Sequence, residues 1–131
     1  MSYSQALMTT YSYGHDNDMG NGTAVDWSFK GPSGKKGMLI DIGLHVTETF
    51  ACDATEAAIQ VGTASDPDAY GKLNITDGTA LTNCFNVQDD TNAIISEALP
   101  ADTQIEVTVT EGTDSGTAAG KGYGYVSVLW Y

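Results

Sequence analysis

Apolar and polar positions alternate most regularly in residues 38–50, MLIDIGLHVTETF, where Met38, Ile40, Ile42, Leu44 and Val46 are interleaved with Asp41, Gly43, His45 and Thr47. A two-residue period turns one face of a β-strand towards a core and the other towards water, whereas a helix would scatter those five side chains around its axis. The same period recurs at Ile105, Val107 and Val109, and again at Val126, Val128 and Trp130. Shorter runs predict further strands: residues 23–29 with Val25, Trp27 and Phe29 on one face, residues 57–62 with Ile59 and Val61 inward, and residues 73–75. Residues 80–87 and 93–99 are weaker strand candidates.

Turn signals separate these runs. GPSGKKG at 31–37 joins the first strand to the central one and predicts that the two pair antiparallel. SDPDAYG at 65–71, Asp77-Gly78, QDDTN at 88–92 and LPAD at 99–102 are further turns, in which Pro fixes a dihedral and Asp side chains bond nearby amides. Residues 52–58 read as a loop or short helical turn. EGTDSGTAAG at 111–120 is small and polar, reads as the most flexible loop of the body, and predicts a hairpin between its flanking strands. Seven to nine short strands without a helical period predict an all-β fold, an antiparallel β-sandwich or jelly roll. Its single domain would span residues 23–131. Residues 1–22, polar with Tyr3, Tyr11 and Tyr13, have no sustained apolar period and read as an extended N-terminal arm, dispensable for folding and suited to lie across a neighbouring subunit or partner.

Length and composition are consistent with one self-sufficient core: 131 residues bury about two-thirds of their extended surface. Seventeen acidic residues against five basic ones give a net charge of −12. Phosphate backbones are bound by Lys and Arg, so nucleic acid is not an expected partner. No apolar run is long enough to span a bilayer, and the polar, uncharged opening lacks a secretory pattern, so the expectation is synthesis in a cytoplasm and no membrane partner. Cys52 and Cys84, 32 residues apart, could form one disulfide or pack as two free thiols.

Candidate chemistry is sparse. His45, Asp41 and Cys52 make a nucleophilic triad only on paper, with no motif around the cysteine, so neither an enzyme nor a catalytic residue is expected. HDNDMGNG at 15–22 offers oxygen ligands at alternate positions, but an EF-hand template started at Asp16 puts Gly20 fifth and Trp27 twelfth, where Glu is required. No metal or cofactor is expected. Trp27, Tyr70, Tyr123, Tyr125 and Trp130 are the rings a sugar-binding face could use, and core packing is the alternative for the tryptophans.

The segment AAIQVGTASDPDAYG at 57–71, with the terminal GKGYGYVSVLWY at 120–131, resembles small structural proteins found beside the major capsid protein in tailed bacteriophages. The resemblance, under a quarter of the chain, implies a capsid decoration or cement protein. Such proteins are β-sandwich or jelly-roll subunits, commonly homotrimers on the capsid exterior, which bind the major capsid protein and stabilise the shell without catalysis. Alternatives are a head-fibre or tail-associated adhesin and a carbohydrate-binding β-sandwich. On physical grounds the expected capsid or subunit contacts are Tyr3, Tyr11 and Tyr13 of the arm and the basic pair Lys35 and Lys36.

Overall fold

The computed structural model describes residues 6–20 and 22–131, and among them the chain forms strands without a helix. The strands are β1 (Leu7–Ser12), β2 (Asn17–Asp18), β3 (Trp27–Lys30), β4 (Gly37–Ala51), β5 (Ala57–Gly62), β6 (Gly71–Ile75), β7 (Cys84–Asn86), β8 (Ala98–Leu99), β9 (Gln104–Thr110) and β10 (Ala119–Trp130). One sheet runs β1-β10-β4-β7, with β2 also on β10 and β8 also on β4; the other runs β3-β9-β5-β6. Every pairing is antiparallel. The two sheets face each other across one apolar core, an all-β sandwich.

Each inner face follows the alternation in the sequence. Val126, Val128 and Trp130 of β10 are buried against Ile105, Val107 and Val109 of β9 and Ile59 and Val61 of β5. On β4 the period holds only in part. Ile42, Leu44 and Val46 are inward, but Leu39 is buried and Ile40 is exposed, and Met38 is half-buried. Ser127 pairs with Asp41 and Val128 with Leu39, so Ile40 is an extra residue on β4. Such a bulge inverts the side-chain parity on one side of it. The expected inward face of Met38 and Ile40 is therefore corrected to Gly37 and Leu39.

Two connections differ from expectation for a shared reason. β3 pairs with β9 and lies in the sheet opposite β4, so the 31–37 turn crosses the sandwich and does not close a hairpin. Residues 111–118 likewise pass from β9 in one sheet to β10 in the other. That loop is anchored: Thr113 bridges Thr55, and the Asp53 carboxylate accepts from the Ser115 amide at 2.7 Å and its hydroxyl at 2.6 Å. Of the weak strand candidates only Cys84–Asn86 and Ala98–Leu99 pair as strands, and residues 23–26 are not strand.

The segment read as an arm is also different. β1 pairs with β10 along its whole length, Leu7 opposite Trp130 to Ser12 opposite Tyr125. Met19 is 1% exposed within the core, held by its amide on the Gly120 carbonyl and by its carbonyl on the Gly112 amide. Buried Asn17 gives and receives hydrogen bonds of 2.9 Å with the Val25 backbone, pinning the next segment. The described part of residues 1–22 is thus built into the sandwich, with β1 as the edge strand of one sheet and Met19 in the core.

Candidate functional site

Of the five expected contact residues, Tyr3 lies outside the described residues. Tyr11 is half-buried against the core: its ring stacks on Phe29 at 4.3 Å between centroids, and its hydroxyl accepts from Trp130 Nε1 at 3.0 Å. It faces inward because it pairs with Val126, whose side chain is in the core. Half-buried Tyr13 stands edge-on to His15 at 5.2 Å.

Lys35 and Lys36 sit on the turn before β4. The Lys36 backbone exchanges hydrogen bonds of 3.0 and 2.9 Å with Tyr131, and the Asp102 carboxylate caps the Gly34 amide at 2.8 Å. Trp130 fills the space under the turn, since a Cβ at Gly31 or Gly37 would enter its indole ring. The local chemistry therefore fixes a basic pair at the end of the sandwich where β10 terminates.

Beside that turn an apolar row crosses the outer face of the first sheet. Met8 pairs with Leu129, Leu129 with Met38, and Met38 with Ala98. Residues opposite one another in an antiparallel pair share a face. Met8 is 55% exposed, and Ile40 on β4 is a further exposed apolar side chain. The row is not visible in the sequence because Met8, Leu129 and Met38 are far apart along the chain and stand on the face opposite the core alternation; only the pairing lines them up.

Farther along the same face lies a small polar cluster. Gly43, without a side chain, leaves room for the Tyr125 ring from β10, which a Cβ would penetrate. The Tyr125 hydroxyl donates to Asp41 at 3.0 Å, and the Cys84 thiol lies 3.6 Å from that hydroxyl. Burial first, then the contacts with Cys84 and Asp41, push the Tyr125 phenol well above its ordinary value. His45 pairs with Cys84 on β7 and with Tyr123 on β10. The signal for this cluster in the sequence is a glycine inside a strand, a mark of close approach.

The paper triad is not assembled. Cys52 is buried at the end of β4 with its thiol on the Ile75 carbonyl at 3.6 Å, and burial raises its pKa, whereas Asp41 serves Tyr125 on the outer face. Both thiols are free; Cys52 packs in the core as a small apolar side chain, whereas Cys84 is exposed on the outer face and not packed as expected. In the 15–22 segment the Asp16 carboxylate accepts from the Thr47 hydroxyl at 2.6 Å and Asp18 accepts from the Gly20 amide at 3.1 Å. Of the five rings, Trp130 is in the core, Trp27 tilts against Phe29 at 6.2 Å between centroids, and Tyr123 is the exposed one. Two recesses of about 190 and 220 Å³, beside Ile40 and Asp41 and beside Glu56 and Asp90, are smaller than the roughly 300 Å³ of typical small-molecule sites.

Compared with protein-family models, curated proteins and solved structures, the chain gives no match.

Proposed function

We propose that this chain is a non-catalytic structural protein of a virus particle, a decoration protein that binds the major capsid protein on the outer surface of a phage head and stabilises the shell. The order in which the chain visits its strands supports this reading. With the short β2 and β8 set aside, the order β1-β10-β4-β7 facing β3-β9-β5-β6 fits the double Greek key of a jelly roll. That architecture recurs in viral capsid and lectin domains. Fold alone does not fix function, so the surface must carry the choice between those two.

The surface favours a protein partner. The row Met8, Leu129, Met38 and Ala98 offers a shallow apolar strip, with Lys35 and Lys36 at its end in a chain of net charge −12. An apolar centre with a charged rim is how protein interfaces are composed. Binding to the assembled lattice in preference to separate capsid subunits stabilises the lattice by mass action, and many equivalent sites add avidity.

The test is co-sedimentation of the purified chain with heads built from the capsid protein of the same genome. Saturable binding at a fixed ratio to capsid subunits is expected, with Leu129→Glu and the double change Lys35→Glu, Lys36→Glu each reducing occupancy. No binding to those heads, or glycan binding that quenches tryptophan fluorescence, overturns the proposal, the second in favour of the lectin-like alternative.

A further inference from the structure

Proteins rarely leave a long, flat, uncharged strand at a sheet edge, because its open amides and carbonyls recruit another strand. Three of the four outer edges here are guarded. β3 is four residues long, starts after Asp26 and ends in Lys30. β6 is covered by residues 93–94, with the Lys72 amide on the Ala93 carbonyl at 2.7 Å and a bridge between Gly71 and Ile94. β7 and β8 are three and two residues long, and the Asp89 carboxylate folds a turn back onto the Asn86 amide.

β1 has none of these devices. Its six residues, LMTTYS, carry no charge and no proline, and its register on β10 runs without a bulge. Among the described residues its strand partner is β10 alone, and none of them pairs with its other side. Leu7 and Met8 on it are half exposed. The uncharged stretch extends from residue 6 to residue 14 in a chain that otherwise carries a net −12.

We propose that β1 pairs antiparallel with β1 of a second copy, joining the two first sheets into one across a two-fold axis. The self-pairing follows from charge and symmetry. Two copies of net charge −12 repel over most orientations, and this edge lets backbones approach with no ionised side chain in the contact. An antiparallel strand pair about a two-fold axis is self-complementary, so one neutral strand serves both partners. An axis through Thr9 or Thr10, perpendicular to the sheet, keeps Met8 and Thr10 on the outer face of both copies and sets their two apolar rows side by side. Two six-residue strands bury less than the roughly 1,200 Å² of a standard interface, so the pair dissociates on dilution. This pairing differs from the three-fold assembly that the resemblance implies, and it stands or falls independently of shell binding.

Light scattering coupled to size exclusion, run over a concentration series, reads the assembly. The mass is expected to rise from one chain of 13.8 kDa to two. Thr10→Glu places two added carboxylates next to the axis and should raise the dissociation constant at least tenfold. Thr10→Val removes the same hydroxyl contact with Ser127, 2.9 Å in the native protein, and should leave it unchanged. Hydrogen exchange on the wild-type chain supplies the second reading. The amides of Leu7–Ser12 that point away from β10 should be protected at high concentration and exposed on dilution. A single-chain mass up to the solubility limit, a three-chain mass, or a dimer whose β1 amides exchange equally at both concentrations overturns the proposal.

Discussion

Replacing Tyr11 by Phe removes one oxygen atom and tests whether β1 belongs to the body of the protein. That oxygen accepts from Trp130 Nε1 at 3.0 Å, and Trp130 is 1% exposed, so the indole N–H loses its partner in a buried position. A buried donor left unsatisfied costs about 1–2 kcal/mol, more than the bond itself contributes net. Tyr11→Ala also removes the stack on Phe29, worth about 1 kcal/mol beyond burial, and the half-buried ring's apolar surface, for a total of about 3 kcal/mol. For a chain of this size 1 kcal/mol moves the midpoint by about 3–5 °C, so Phe should lower the melting temperature by about 3–10 °C and Ala by about 9–15 °C. Thermal unfolding followed by circular dichroism gives both values under one condition. A projecting arm would show neither shift. If Tyr11→Phe melts within about a degree of wild type, the hydrogen bond to Trp130 contributes nothing, and an unshifted Tyr11→Ala would refute the docking of β1.

Further outcomes follow from the same geometry. Removing residues 1–20 takes away β1, β2 and the core residue Met19, so the truncated chain should lose its cooperative thermal transition, as should a chain lacking residues 127–131. The Tyr125 phenol is raised above its ordinary value of 10.0, so the stability it contributes is complete below pH 10 and falls as pH climbs above 10 towards the folded-state value, where the unfolded chain gives up the proton first. Melting temperatures from pH 9 to 11 should therefore drop more steeply for wild type than for Tyr125→Phe, and equal slopes would remove that assignment. Gly43→Ala should displace the Tyr125 ring and let its phenol titrate at lower pH, read by ultraviolet absorbance of tyrosinate. Iodoacetamide should add one group to the native protein, at exposed Cys84, and a second at Cys52 only after denaturation, as peptide mass spectrometry would show.

Local patterning determined much of the all-β character. The inward faces of β5, β9 and β10 can be read directly, because a strand half buried on a sheet repeats every two residues whatever its neighbours are. Connectivity could not be read in that way. The 31–37 and 111–120 segments look like hairpin turns, yet each crosses between sheets, since a turn's composition records that the chain reverses and not which strand the reversal meets. The bulge at Ile40 is likewise invisible in MLIDIGLHVTETF: only the pairing of Ser127 with Asp41 and Val128 with Leu39 inverts the parity that the alternation implies.

The candidate surface divides along the same line. Lys35 and Lys36 were legible as a basic pair on a turn, because Gly, Pro and Lys announce themselves locally. Tyr11 and Met19 read as parts of a polar arm, but Met19 is core and Tyr11 packs against it, because Trp130, Phe29 and Gly120, remote in the chain, meet them. The Met8, Leu129, Met38 and Ala98 row exists only through three strand pairings. Short-range periodicity is a property of the chain and survives in any fold that uses the strand. Burial of an isolated side chain, the facing of two strands and the openness of an edge depend on contacts between distant residues, and the tertiary structure alone decided those.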